Sequence, residues 1–255
     1  MSDATVTAIR ELLSQCTAEE QAMIFRELRA RHIIHDFERV IGAPAEMILE
    51  AIHRAPELTR RMLRGVIADS AFRTFVAAAL EPEGWRDVTA QGNFAYDYRM
   101  DDGDGPITVQ VKLQRSERGA PAVRRGERYG FGEEVFLTET QKTRTGTDGE
   151  DNQTRPYRYG EFDILAVSMQ PSTGRWDRYM YTLGRWLLRG KQVGEMATLQ
   201  PVAKSSNEFW SDDFRTAARW FRTNDEGKRI ADQRLVAKKD VAKKHVVKRT
   251  GRKPP

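Results

Sequence analysis

The sequence predicts a mixed α/β (α+β) fold, in which a helical N-terminal region precedes a central mixed β-sheet flanked by helices. Three observations support this. Apolar residues recur at helical spacing from residue 3 to about residue 81. Two alternating runs at 94–100 and 107–115 flank an Asp/Gly/Pro cluster, which is typical of a β-hairpin. A nearly continuous apolar run at 162–169 indicates a strand buried on both faces.

Composition predicts one domain with appendages. A chain of 255 residues can bury a real core, but charged residues make up 31% and hydrophobic residues 39%, so we expect a long solvated segment. From Lys228 onward eleven Lys and Arg face two acidic residues, so the basic charge is concentrated at the C-terminus. We therefore predict a helical subdomain at 1–62, an α/β core at 63–223 and a basic, disordered tail at 224–255.

Several classes of protein find no support in the sequence. Cys16 is the single cysteine, which excludes an internal disulfide, and the four histidines lack the spacing of a zinc site. No apolar stretch reaches eighteen residues, and no glycine-rich phosphate loop follows a strand. We expect a soluble cytoplasmic protein of a bacterial or archaeal cell that does not act at a membrane.

The N-terminal region predicts short helices with defined ends. Thr17-Ala-Glu-Glu20 is a capping box, in which the hydroxyl and the Glu20 carboxylate each accept a backbone N–H. Gly42 predicts a helix end, Pro44 the first turn of the next helix, and Pro56 a further break. A small helical bundle is the simplest interpretation. The alternative is a DNA-reading helix-turn-helix around residues 40–44.

Gly and Pro residues mark the ends of the remaining predicted elements. We predict a helix at about 63–80, a strand from 86–90, a loop at 116–134 with one helical turn, a strand at 135–139, a long polar loop at 141–156, a strand passing into a turn at 176–187, and a helix at 212–222.

The hairpin carries the residues that could take part in catalysis. Side chains two apart share a face of a strand, so Gln110, Lys112 and Gln114 point one way. Cross-strand pairing could bring Asp97 to that face. A carboxylate that binds Mg²⁺ beside an ammonium suits metal-assisted phosphodiester hydrolysis, because the cation polarises the phosphate and the lysine stabilises developing charge.

Asp97, followed after twelve residues by Gln110-Val111-Lys112, resembles the active-site pattern of the PD-(D/E)XK nuclease superfamily, which includes many type II restriction endonucleases. The flanking elements over about 63–170 resemble that superfamily's core, so the resemblance implies a restriction-endonuclease-like core. It also implies an Mg²⁺-dependent DNA endonuclease. In that family pattern Asp97 binds the metal, the Val111 carbonyl assists, and Lys112 positions the attacking water.

The sequence departs from the family pattern at two positions. Tyr96 stands where the family often has proline, and Gln110 stands where an acid is usual. Gln110 can offer a carbonyl oxygen but lacks the negative charge. Asp69 on the preceding helix is the best candidate for the missing carboxylate; Glu81 and Asp87 are weaker candidates. Asp163 is expected to be a satisfied carboxylate at a strand end.

Two polar loops contain side chains suited to DNA. Arg and Lys can bind phosphates or guanine edges, and Gln and Asn suit adenine. We predict phosphate contacts from Arg124, Arg125 and Arg128, and base reading from Gln141, Lys142, Arg144, Asn152, Gln153 and Arg155. The basic tail would add salt-dependent affinity that is independent of sequence.

These features predict an endonuclease that cuts double-stranded DNA, most simply as a homodimer and as a type II restriction enzyme beside a cognate DNA methyltransferase. Two alternatives remain open. One is a repair or junction-resolving nuclease of the same fold, and the other is a catalytically inactive DNA-binding protein. Fold alone does not decide among them.

Overall fold

The computed structural model describes residues 3–31, 35–142, 156–223 and 228–233. Its internal contacts divide the chain into two units, Met1–Met62 and Leu63–Pro255. No helix among the described residues is both long enough and apolar enough to cross a membrane.

The first unit is helical. Thr17 forms the predicted capping box: the Glu20 carboxylate accepts from the Thr17 backbone N–H at 2.8 Å, and the Thr17 hydroxyl accepts from the Glu20 N–H at 3.3 Å. Gly42 ends the third helix in the left-handed region at φ 71°, as predicted. The helices are α1 (Asp3–Gln15), α2 (Ala18–Arg31), α3 (Phe37–Ile41), α4 (Ala45–Arg54) and the beginning of α5 (Glu57–Ala71).

Helix α5 begins six residues earlier than predicted, directly after Pro56, which suits the start of a helix. It continues into one π-helical stretch, Phe72–Ala77, then α6 (Ala78–Leu80) and a 3₁₀ turn. Gly84 closes this run at φ 95°, a conformation that favours glycine. A π-helical stretch changes which side chains share a face, and periodicity cannot reveal it.

A five-stranded mixed sheet forms the centre of the second unit. Its order is β1 (Arg86–Asp87), β2 (Tyr98–Asp101), β3 (Ile107–Leu113), β8 (Ile164–Ser168) and β9 (Tyr179–Leu183). Strands β3 and β8 are parallel, and the other neighbours are antiparallel. The predicted fold class is confirmed.

A second, antiparallel sheet has the order β10-β7-β6. Strand β7 (Val135–Glu139) has the predicted bounds, and the Leu113 carbonyl accepts from the Thr138 hydroxyl at 3.0 Å where this sheet meets the end of β3. The predicted loop at 116–134 contains the expected helical turn, Gly126–Tyr129, but also three short strands that were not predicted. These are β4 (Ser116–Glu117), β5 (Ala120–Pro121) and β6 (Val123–Arg124). Strand β10 (Leu199–Val202) was also missed, because four residues that include proline carry little periodic signal.

Apolar side chains form two buried clusters, divided in part by the alternation along β3. Val109 and Val111 pack in the cluster that contains Phe72 of the π-helical stretch and Phe214 of α8 (Phe214–Arg222). The other cluster contains Tyr157, Leu165, Trp210 and Ile230, among others. Since Gln110 and Lys112 alternate with the valines, they project away from the first cluster.

After the short helix α7 (Gln170–Thr173), helix α8 ends at Arg222 as predicted but begins at Phe214, two residues later than predicted. The Asp213 carboxylate accepts from the backbone N–H of Thr216 at 3.0 Å, which is an N-cap. Shortly after this helix, at 228–233, the structure differs from the predicted disorder: Ile230 is buried and Asp232 pairs with Arg128. An apolar contact and an ion pair with the core therefore hold these residues, while the rest of the predicted tail lies outside the described residues.

Candidate functional site

The antiparallel pairing of β2 and β3 places Asp97 next to Gln110. Tyr98 lies opposite Val109, so the same register puts Asp97 opposite Gln110, and the Asp97 N–H donates to the Val109 carbonyl at 2.9 Å. The Asp97 Oδ2 atom accepts from the Val111 backbone N–H at 2.7 Å and also from the Gln110 side-chain amide. The predicted meeting of Asp97 with the polar residues of β3 is therefore present.

Gln110 presents its nitrogen to Asp97. Its Nε2 donates to Asp97 Oδ2 and to the Val111 carbonyl at 3.2 Å, while its Oε1 accepts from the Tyr157 hydroxyl at 3.0 Å. The side chain is only 3% exposed. The expected use of Gln110 as an oxygen ligand does not fit this arrangement, because its oxygen is directed to Tyr157 and its donor nitrogen faces the Asp97 carboxylate that would bind the metal.

Lys112 lies two residues further along the same face of β3. Its Nζ donates to the Tyr157 hydroxyl at 3.3 Å and lies 5.2 Å from the centre of the Tyr157 ring. Burial lowers the pKa of Lys112, and the charges of Asp97 and Asp69 act in the opposite direction. The ammonium thus faces two carboxylates in a poorly solvated place.

Asp69 projects from α5 toward this group. Its Oδ1 is enclosed and has no hydrogen-bond partner among the described residues. The Tyr98 hydroxyl donates to the Asp69 carbonyl at 2.8 Å, and the Tyr179 hydroxyl donates to the Ala68 carbonyl at 2.7 Å. These bonds fix the backbone of α5 just before the π-helical stretch, and hence the position of the Asp69 carboxylate.

The electrostatics show that these groups act on one another. Burial raises the pKa of Asp97 to about 6; Lys112, the Val111 N–H and Gln110 oppose that rise, whereas Asp69 adds to it. Burial likewise raises the pKa of Asp69, and the Tyr98 hydroxyl and then the Lys112 charge counteract this. Two carboxylates that each lose solvation and repel one another would be stabilised by a cation.

A hard cation such as Mg²⁺ fits this donor set. The unpartnered Asp69 oxygen, the Asp97 carboxylate and the Val111 carbonyl are the oxygen ligands that Mg²⁺ prefers, and Mg²⁺ commonly keeps several waters when it has few protein ligands. No cluster of three or more His, Cys, Asp or Glu side chains suited to a metal occurs in the described parts of the chain. A site here would therefore combine two carboxylates with a backbone oxygen and water.

The other candidate acids differ in their surroundings. Asp87 in β1 accepts from the Thr89 N–H at 3.0 Å and affects the pKa of Asp69, so it lies at the edge of the site. Glu81 is exposed in the 3₁₀ turn. The Asp163 carboxylate accepts from the Thr108 N–H at 2.8 Å and the Thr108 hydroxyl at 2.7 Å, which is the satisfied strand-end arrangement that the sequence predicted.

The predicted phosphate-binding arginines are not equivalent. Arg125 is exposed, whereas Arg124 pairs with Glu117 at 3.1 Å. Arg128 donates twice to Asp232, at 2.6 and 3.0 Å, so its guanidinium holds the 228–233 segment. A phosphate would have to compete with that carboxylate for Arg128.

The predicted base-reading residues fall mostly outside the described chain. Gln141 donates to Glu139 at 3.1 Å, and Lys142 pairs with Glu161 at 2.5 Å. Lys142 Nζ also lies 5.5 Å from the centre of the Tyr157 ring, so it stands beside the site. Arg144, Asn152, Gln153 and Arg155 lie outside the described residues, and base reading by them stays a prediction.

Tyr157 is the site residue that the sequence did not indicate. It contacts both Gln110 and Lys112 through its hydroxyl, although it lies 45 positions after Lys112 in the chain. No local pattern links such distant residues. Its place directly after the polar loop, as the first aromatic residue there, was the available signal.

Comparisons with known proteins give a likeness to solved structures, but none to a known family. No family model matches the chain, and no curated protein matches it. Among solved structures, the chain is similar to a bacterial homing endonuclease, I-Ssp6803I, with 18% sequence identity over 65% of this chain and 94% of that one, and a TM-score of 0.34.

Proposed function

We propose that this chain is an Mg²⁺-dependent endonuclease that hydrolyses phosphodiester bonds in duplex DNA. One observation carries the proposal: the Asp97 carboxylate, the Lys112 amine and the unpartnered Asp69 oxygen form one mutually interacting group beside Tyr157. Asp97 and Lys112 are also the two positions at which the sequence follows the nuclease pattern. Two acids beside a lysine are suited to binding a cation and a phosphate together.

The residues would divide the chemistry between them. Asp97, Asp69 and the Val111 carbonyl would hold Mg²⁺, which when bound polarises the phosphate and lowers the pKa of a coordinated water. Lys112 would orient the attacking water and stabilise the negative charge that develops on the phosphate. Because burial lowers the pKa of Lys112, its amine can also exchange a proton at a lower pH than an exposed lysine would.

For the biological role we propose a type II restriction endonuclease. Cutting both strands of a symmetric site would use two copies of the chain, and a cognate methyltransferase would protect host DNA. The exposed Arg125 is available for phosphate contacts, whereas Lys142, beside the site, pairs with Glu161 and would have to exchange that partner for a phosphate. Such contacts would set affinity rather than sequence preference.

The test is incubation of the purified full chain with unmethylated phage and plasmid DNA, in Mg²⁺ and in EDTA. Discrete fragments in Mg²⁺ alone are expected. A smear, or selective cleavage of branched substrates, would instead favour the repair or junction-resolving role. Cutting that persists in EDTA would contradict the proposed metal.

Gln110 favours a second candidate, a DNA-binding protein without cleavage activity. An amide at this position supplies no negative charge, and its nitrogen faces Asp97. The same incubation separates the two functions, because intact DNA with a mobility shift would favour binding alone.

A further inference from the structure

A continuous hydrogen-bonded chain crosses the site from Lys112 to Asp97 through a tyrosine. Lys112 Nζ donates to the Tyr157 hydroxyl at 3.3 Å, and that hydroxyl donates to Gln110 Oε1 at 3.0 Å. Gln110 Nε2 then donates to Asp97 Oδ2. Tyr157 is only 4% exposed, so it acts on the site from within the protein.

The direction of these bonds determines which end of the Gln110 amide meets Asp97. Each hydroxyl has one proton to donate, and an ammonium can only donate. Because Tyr157 accepts from Lys112, its own proton is free to bind the Gln110 oxygen, and the Gln110 nitrogen is left to face the carboxylate. Burial raises the pKa of Tyr157, so the hydroxyl keeps this proton at neutral pH.

We propose that Tyr157 is a positioning residue that orients the Gln110 amide against Asp97 and holds the Lys112 amine. Gln110 in turn holds the Asp97 carboxylate in one orientation. This inference rests on the proposed nuclease function. It gives a physical role to the amide at a position where the family pattern has an acid. With Oδ2 of Asp97 bonded to Gln110 and Val111, Oδ1 is the oxygen available to a cation.

The variant Tyr157→Phe removes the hydroxyl and keeps the ring. The ring packs edge-on against Phe162 with centroids 5.2 Å apart, and this contact does not need the oxygen. Tyr159→Phe is the matched control, because Tyr159 packs against the same apolar cluster and its hydroxyl donates to the Leu187 carbonyl at 2.8 Å, away from the site.

The first measurement is steady-state DNA cleavage in saturating Mg²⁺. Tyr157→Phe should lower kcat by about ten- to a hundredfold, the usual range for residues that orient a ligand, while KM for DNA stays near the wild-type value. Tyr159→Phe should cut at a rate close to the wild type. In a Gln110→Ala background, the Tyr157→Phe change should have a smaller effect, because only the contact of the hydroxyl with Lys112 is left to be lost.

The second measurement does not depend on cleavage. The side-chain amide protons of Gln110, assigned by their loss in Gln110→Ala, should exchange slowly with solvent in the wild type. Exchange should be at least about tenfold faster in Tyr157→Phe and unchanged in Tyr159→Phe. Circular dichroism would verify that each variant is folded.

The outcomes separate the inference from the proposed function. Cleavage and amide exchange that are both unchanged in folded Tyr157→Phe would overturn the role of Tyr157. Faster exchange with reduced kcat would support it. If the wild type cuts no DNA, the nuclease proposal fails, and faster exchange in Tyr157→Phe would still support Tyr157 as the residue that orients Gln110.

Discussion

Asp97 and Asp163 each directly precede a strand of the same sheet, yet their surroundings differ. Asp163 accepts two hydrogen bonds from Thr108 on the neighbouring strand and so joins β8 to β3. Asp97 is partly buried beside Lys112 and Asp69, and its pKa rises to about 6. The difference shows that a carboxylate becomes a candidate for chemistry when its charge is left incompletely compensated, and a structural element when its neighbours satisfy it.

The largest expected effect is on DNA cleavage, which should distinguish Asp97 from Asp163. Asp97→Ala should lower the cleavage rate by about a hundredfold to a thousandfold, and Lys112→Ala similarly, because each removes charge stabilisation at the phosphate. DNA binding, measured by mobility shift, should remain. Asp163→Ala should cut at close to the wild-type rate. Full activity in Asp97→Ala or Lys112→Ala would refute the site.

The second prediction uses the raised pKa of Asp97. A folded-state pKa above the unfolded value stabilises the protein at low pH, and this contribution disappears as pH rises from about 4 through about 6. The Asp97→Asn variant has no titrating carboxyl group at this position and therefore does not lose stability in this way as pH rises. Its stability relative to the wild type, measured by urea unfolding in EDTA, should therefore improve by up to about 3 kcal/mol between pH 4 and pH 7.

Asp102 is a control for which we expect the opposite dependence of stability on pH. Hydrogen bonds from Arg222 lower the pKa of Asp102, so its stabilising contribution is present above the unfolded pKa and is lost as pH falls. Asp102→Asn should therefore become less stable relative to the wild type as pH rises through the acidic range. The same trend in both variants would contradict the raised pKa of Asp97 and the lowered pKa of Asp102 that we assign.

A third prediction concerns the structural aspartate. Asp163→Ala leaves the Thr108 N–H and hydroxyl without their acceptor, so the free energy of unfolding should fall by about 2 kcal/mol. Denaturant unfolding at neutral pH measures this. Asp163→Asn should lose less, because both bonds go to the one Asp163 oxygen, Oδ2, and an amide oxygen in its place can still accept them. An unchanged midpoint in Asp163→Ala would show that water replaces the carboxylate.

The smallest expected effect concerns the second acid. If Asp69 supplies the missing metal ligand, Asp69→Ala should raise the Mg²⁺ concentration needed for half-maximal cleavage by about tenfold. Asp87→Ala is the matched control, since the Asp87 carboxylate is bonded to Thr89 and should matter little. Identical Mg²⁺ titrations for the wild type and Asp69→Ala would remove Asp69 from the site.

The local sequence pattern was sufficient to predict those elements whose bounds depend on residues within the element itself. The capping box at Thr17, the bounds of β7 and the helix that starts after residue 212 all depend on neighbouring residues. The hairpin also followed from its pattern, although β2 begins at Tyr98 and is shorter than the alternating run. The short strands were missed because pairing with other strands forms them despite weak local signals: β6 and β10 pair with β7 in the second sheet, and β4 and β5 pair with each other.

The sequence by itself determined that Asp97, Gln110 and Lys112 would share one face of a hairpin, because alternation along a strand and the register of a short turn are local properties. Only the tertiary structure decided what these residues do to each other. It brought Asp69 from a helix and Tyr157 from beyond the polar loop to the same place. The orientation of the Gln110 amide depends on a hydroxyl 47 positions away, and such contacts form only when the fold closes.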